Sequence, residues 1–234
     1  MSVLLMTVWL TGCVQEELGS TPSPAGNGIR FTLTVPDVNL PSVSSRTMTG
    51  TGTAKKEDEI KTVDILVFDA SKTPAVYLEW VTATGVTQDL ADNSTVSFSA
   101  KLPFTTASTC IVVVANRELD DIVSGFKKGV TTKVEAMEKM LHTQTGKWLA
   151  DGSTTGGYTR IPMYGEKVIN KITPSMEPIT GINMKRMLAR IDIHNNSVTS
   201  NFTVEEVYLA NYNTTGYIAP AWDTNGQVTE PIPD

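Results

Sequence analysis

Polar and apolar residues alternate from Ile29 onward, and that alternation is the first sign of a fold. In Ile29-Arg-Phe-Thr-Leu-Thr-Val35, the residues Ile29, Phe31, Leu33 and Val35 share one face and Arg30, Thr32 and Thr34 the other. This is the period-2 signature of a half-buried β-strand. Ile60 to Phe68 becomes apolar on both faces towards Ile65-Leu-Val-Phe68, as a central strand covered on both sides would. Val76 to Thr84 is rich in β-formers, and Val96, Phe98, Ala100 and Leu102 alternate cleanly. Cys110 to Ala115 is a continuous apolar run suited to the middle of a sheet. Ile182 to His194 sets Met187, Ala189, Ile191 and Ile193 against Arg186, Arg190 and Asp192 on the opposite face. Phe202 to Ala210 is its expected hairpin partner, across a turn at Asn195-Asn-Ser197.

One segment carries helical signals. Thr132-Lys-Val-Glu135 fits a capping box, in which hydroxyl and carboxylate each satisfy a backbone N–H. Val134, Met137 and Leu141 follow at helical spacing, and Glu118 to Lys127 has room for another helical turn or two. Strands joined by turns, with a short helical insertion, predict a mainly β chain folded as an antiparallel β-sandwich.

The flanks are different. Val3 to Leu10 is apolar except for Thr7, and Leu10-Thr-Gly-Cys13 follows directly. Spanning a bilayer takes about 20 apolar residues, so this run has instead the length of a signal-peptide core. Residues 1–7 hold no Lys or Arg, a departure from the usual signal pattern that a start further upstream would supply. Residues 14–28 are polar and rich in Gly, Pro and Ser, which suits a tether. A second linker, rich in Ser, Thr and Gly, runs from Pro36 to about Asp58 and carries Arg46, Lys55 and Lys56.

Composition narrows the function. The formal net charge is −6 and no basic cluster interleaves with aromatics, which argues against nucleic acid as a partner. Of the two cysteines, Cys13 and Cys110, the second sits in an apolar strand and is expected to be a buried, inert thiol. With Cys13 lipidated no intramolecular disulfide forms, and a body of this size stabilises itself by core burial.

No catalytic or metal-binding constellation emerges, so the chain is not expected to be an enzyme or to hold a cofactor. His142 and His194 lack a second ligand at metal spacing. There is no Gly-x-Ser-x-Gly elbow, phosphate loop or dinucleotide fingerprint. Gly50-Thr-Gly52 and Gly156-Gly157 fit turn chemistry, and Asp64 and Asp69 fit solvated strand ends. Trp80, Trp148 and Trp222 leave open a sugar-stacking platform, set against the commoner role of core or rim residues.

Leu10-Thr-Gly-Cys13 resembles a lipobox, where cleavage before Cys is coupled to diacylglycerol and palmitate attachment; a short buried strand with an incidental Cys is the plain alternative. Glu16-Glu17 resembles the acidic export signal of surface-exposed lipoproteins, with a solubilising tether as the alternative.

Further pieces resemble the fimbrillin family of type V pilus subunits, in order and over most of residues 29–210. They are Ile29–Val35, Ser45-Arg46-Thr47, Glu59-Ile60 leading to Leu66-Val-Phe-Asp69, and Ile111-Val-Val-Val-Ala-Asn116. Ile161-Pro-Met-Tyr-Gly165 and Met184-Lys-Arg-Met-Leu-Ala-Arg-Ile-Asp192 complete the set. The resemblance implies an antiparallel Greek-key (transthyretin-like) β-sandwich. It also implies an outer-membrane, surface-exposed lipoprotein precursor, cut after a basic residue by an Arg-specific, trypsin-like protease. Arg46 and Thr47 occupy the cleavage position, although Lys55 and Lys56 are also basic. Loss of the strand bearing Ile29, Phe31, Leu33 and Val35 would then open a groove for a strand of another subunit, and the resulting fimbria would mediate adhesion.

The expected layout is signal peptide 1–12, tether 13–28, removable strand and linker 29–46, β-sandwich 47–215 and linker 216–234. Members of the family carry a second domain, so the chain is expected to be a fragment. An anchor or tip subunit, or a surface glycan-binding lipoprotein using the tryptophans, remains the alternative function.

Overall fold

A computed structural model describes residues 28–35, 58–89, 94–144, 160–188, 205–208, 210 and 213–220. The alternating first segment forms β1 (Ile29–Thr34), and the two apolar runs form β2 (Val63–Asp69) and β6 (Thr109–Ala115). Between them lie β3 (Val76–Thr82), β4 (Thr84–Gln88) and β5 (Thr95–Ala100). Helices α1 (Asp120–Val123) and α2 (Lys133–Glu138) lead to β7 (Leu141–Thr143) and β8 (Met163–Ile169). The last elements are β9 (Ile179–Asn183), β10 (Lys185–Arg186) and β11 (Thr215–Tyr217).

The strands form a four-stranded sheet ordered β4-β5-β1-β9, a five-stranded sheet ordered β10-β8-β6-β2-β3 and a small β11-β7 pair. The two larger sheets face each other across one core. Phe31, Leu33, Val96, Phe98 and Ile182 from the first sheet meet Ile65, Val67, Ile111 and Val113 from the second. The other face of the five-stranded sheet is also covered, with Leu66, Phe68, Val112 and Val114 packed against Leu119, Ala136, Met137 and Ile218. Every residue of β6 is buried, as are Val63 to Phe68 of β2. This two-sided burial is why both segments are continuously apolar rather than alternating.

Several expected elements are cut differently by the fold. The β-rich stretch from Val76 continues beyond Thr84 but changes sheets. It leaves the five-stranded sheet after Thr82 and enters the four-stranded sheet at Thr84, with Ala83 N donating to Val63 O at the corner. The strand expected from Ile182 likewise divides between the sheets, β9 in one and β10 in the other, around fully buried Met184. Residues 189–200 lie outside the described residues, and the described part of Phe202–Ala210 (205–208 and 210) belongs to no strand.

The capping box forms as expected, with Glu135 N donating to Thr132 Oγ1 and Thr132 N to Glu135 Oε2. Helix α2 nevertheless ends at Glu138. Leu141 opens β7 instead of continuing the apolar stripe, because the chain turns to pair with β11. Val134 is exposed, and Ala136 joins Met137 on the buried side. A second short helix, α1, lies within Glu118–Lys127.

Among the described residues, all but one of the strand pairings are antiparallel. The exception joins β1 to β9 in parallel, with an irregularity where Phe31 faces Ile179 but Leu33 faces Ile182. Gly181, in the extra length of β9, has φ +71°, a backbone that L side chains rarely adopt.

Candidate functional site

Strand β1 and the slot that holds it are the best-defined functional candidate. Ile29, Phe31, Leu33 and Val35 are all buried, with Leu33 at 0% exposure and Phe31 and Val35 at 1%. Arg30 and Thr34 point outward, so alternation alone sorts the two faces. The Phe31 ring lies on Phe98 of β5, with centroids 4.9 Å apart and planes inclined by 7°.

The strand is internal to its sheet. On one side six residues pair antiparallel with β5, from Ile29 opposite Ala100 to Thr34 opposite Thr95. On the other side β9 runs parallel. Val35 N donates to Ser94 O at 2.7 Å and Met184 N to Thr34 O at 2.8 Å, securing the exit end. Departure of β1 would therefore expose two ladders of backbone groups, one on each side of an open slot. The partner strands lie far along the chain, so no local pattern could reveal that β1 is flanked on both sides.

A polar cluster marks the chain's return from the linker. Gln88 at the end of β4 donates from Nε2 to Asp58 O at 2.8 Å and accepts from Ile60 N at 3.0 Å. Asn116, just past β6, accepts from Lys61 N at 3.0 Å and donates to Glu59 O at 2.8 Å and Ile161 O at 2.9 Å. Its φ of +61° suits Asn, which tolerates the left-handed region better than most residues. The Arg186 guanidinium pairs with Asp58, and Arg160 Nε lies 3.1 Å from Glu59 Oε2. Sequence reasoning missed this cluster. Asn116 closing the run Ile-Val-Val-Val-Ala was its one local signal.

Elsewhere, an open groove of about 590 Å³ lies between α2, β8 and β9, lined by Lys133, Met137, Tyr164, Glu166, Asn183 and Lys185 among others. Lys133 Nζ pairs with Glu166 Oε2 at 2.7 Å. Burial opposes the charge on Lys133 most strongly, but the hydrogen bond and charge of Glu166 together with the Cys110 thiol outweigh it and hold the amine above its ordinary pKa. Cys110 is a buried thiol, and burial pushes its pKa up, consistent with an inert residue.

Asp64 corrects the sequence reading of a solvated strand end. It is 5% exposed, accepting from Thr82 Oγ1 at 2.8 Å and from Leu119 N at 3.3 Å, so it ties β3 and the approach to α1 onto β2. Asp69 does sit at a strand end, where Ser71 donates to it and holds its carboxyl below the usual range. Trp80 packs against the outer core, with Nε1 buried and without an acceptor. Trp148 and Trp222 lie outside the described residues, as do Cys13, Arg46 and Thr47. Among the described residues no cluster of three or more metal-ligating side chains occurs, and no helix is long and apolar enough to cross a membrane.

The described residues thus form a two-sheet β body organised around an internal, deeply buried strand, β1. The chain matches the family described as major fimbrial subunit protein (FimA) over residues 29–185, from the first residue of β1 into β10. It belongs to that family, and so is a structural subunit of cell-surface fimbriae that assembles with other fimbrial subunits. A comparison with curated proteins finds no match.

Proposed function

We propose that this subunit is exported as a lipoprotein precursor and polymerised by strand exchange after proteolysis, building an adhesive fimbria. In this reading, signal peptide 1–12 is removed and Cys13 carries the lipid that holds the precursor in the outer membrane. The tether 13–28 presents the domain at the surface. An Arg-specific, trypsin-like protease then cuts between Arg46 and Thr47. Segment 29–46 leaves with β1, and a strand from another subunit takes its place. The body is residues 47–215, with 216–234 leading onward.

The observation that carries the proposal is the seat of β1. Its four alternating side chains are buried and both its edges are paired, and Arg46 lies in the sequence between this strand and β2. A basic residue in the intervening segment is thus placed to separate strand from body. Burying four such side chains is worth about 1.5–3 kcal/mol each, or roughly 6–12 kcal/mol together. That rivals the roughly 5–15 kcal/mol stability of a whole domain. An emptied slot must be refilled, and β-strand addition restores both the ladders and the alternate pockets.

The test is incubation of the purified chain with an Arg-specific protease. The expected product begins at Thr47 and forms higher-order assemblies. An unchanged mass, or digestion that leaves no stable core, would sink the proposal. An anchor subunit would differ by retaining Cys13 and its lipid in the assembled fimbria. The position of Trp80 against the outer core gives the sugar-stacking alternative no support.

A further inference from the structure

Removing an internal strand poses a mechanical problem for the body that remains. The same linker that frees β1 leads directly into β2, the strand paired with both β3 and β6. A pull on the linker, or digestion proceeding along it, would reach that central strand unless something intervened.

The polar cluster at Asp58–Lys61 lies at this point. Gln88 belongs to the four-stranded sheet and Asn116 directly follows β6 of the five-stranded sheet. Each grips the returning chain with both ends of its amide, a donor and an acceptor apiece. Arg186 adds an ion pair to Asp58 in which both side chains are mostly shielded, at 14% and 16% exposure. None of these bonds involves β1. Ile60, 3% exposed, is pinned between them in the main core.

We propose that the Asp58–Lys61 cluster is a retaining clamp: it joins the two sheets independently of β1 and keeps β2 in place while the slot is empty. This rests on the strand-removal reading above. The clamp sets the inner limit of what can be lost, so that the segment before Asp58 can be cut or drawn away while the body stays folded. It also accounts for two of the body's arginines. Arg160 and Arg186 are engaged by Glu59 and Asp58, shortly before β2.

The experiment uses the full chain with a unique protease site inserted between residues 47 and 57, so that nicking does not depend on Arg46. Nicked and intact forms of the parent and of Asn116→Gly are challenged with a non-specific protease, and fragment masses are followed over time. Glycine keeps the left-handed backbone while removing the amide bonds. The parent, once nicked, should yield a persistent fragment beginning near Asp58. Nicked Asn116→Gly should lose its start beyond β2 at least about fivefold faster, with intact Asn116→Gly as resistant as the intact parent. Gln88→Ala should behave in the same way.

Equal decay of the two nicked chains would overturn the clamp. So would intact Asn116→Gly decaying as fast as its nicked form, which would mark Asn116 as an ordinary stability residue. A parallel arm treats the unmodified chain with an Arg-specific protease. Absence of cleavage after Arg46 there would refute the maturation route and leave the clamp result standing.

Discussion

Truncating Phe31 to alanine tests how strongly β1 is held. The side chain is 1% exposed and stacks on Phe98 at 4.9 Å, with Ile179 opposite on the parallel side. Phe→Ala in a packed core costs about 3–5 kcal/mol, combining lost transfer energy with the cavity left behind. Because β1 is flanked on both sides, the surroundings have little room to collapse, which points to the upper half of that range. With a urea m-value of about 2 kcal/mol/M, the unfolding midpoint of the intact chain should fall by roughly 2 M.

Thr34→Ala is the control. Its side chain is exposed, and the substitution should stay within about 0.5 kcal/mol. Phe98→Ala should cost about as much as Phe31→Ala. The double variant should lose less than the sum, by about 0.5–1.5 kcal/mol, because the ring–ring contact is counted in both single changes. A Phe31→Ala cost below about 1 kcal/mol would refute the reasoning, since β1 would then be a loosely applied cover. So would full additivity of the pair, since the stacking would then contribute nothing.

Two further predictions probe other parts of the fold. A Cβ at Gly165 would lie 2.8 Å from Asn183 O, 2.9 Å from Ile182 Cγ2 and 3.0 Å from Met184 Sδ, where β8 passes the corner between β9 and β10. Gly165→Ala should therefore cost about 1–3 kcal/mol in thermal unfolding, and a change within 0.5 kcal/mol (about the scatter of surface substitutions) would contradict this close approach. Burial lowers the pKa of His142 below its usual 6.5, only partly offset by its bond to Gln144. The unfolded chain then binds the proton more readily, so this residue's contribution to stability is intact above pH 6.5 and lost as pH falls below it. An NMR titration placing His142 at 6.5 would abolish this contribution, and one placing it above 6.5 would reverse the sign.

Legibility in the sequence followed how local each cause is. The face of β1 could be read from four residues because burial on one side imposes alternation within a single strand. The runs in β2 and β6 were equally plain, since cover on both sides removes the polar positions. The corners at Ala83 and Met184 were not, because alternation tells which face a residue takes but not which sheet its strand joins. Asp64 was misread for a related reason. Its two partners are 18 and 55 positions away, and an acidic residue at a strand start looks solvated until they are placed. The candidate site divided in the same way. Its side chains were legible, but its internal position depended on β9, far along the chain, and the clamp required five separated segments to meet.

The parallel contact between β1 and β9 bears on direction. Since β1 runs against β5 and along β9, those two neighbours run against each other. A strand entering the slot in either orientation therefore meets one antiparallel and one parallel partner, and ladder type alone does not choose between them. Alternate pockets also read the same forwards and backwards. The irregularity beside Gly181, where Leu33 faces Ile182 although Phe31 faces Ile179, is the feature that makes the two ends of the slot unlike.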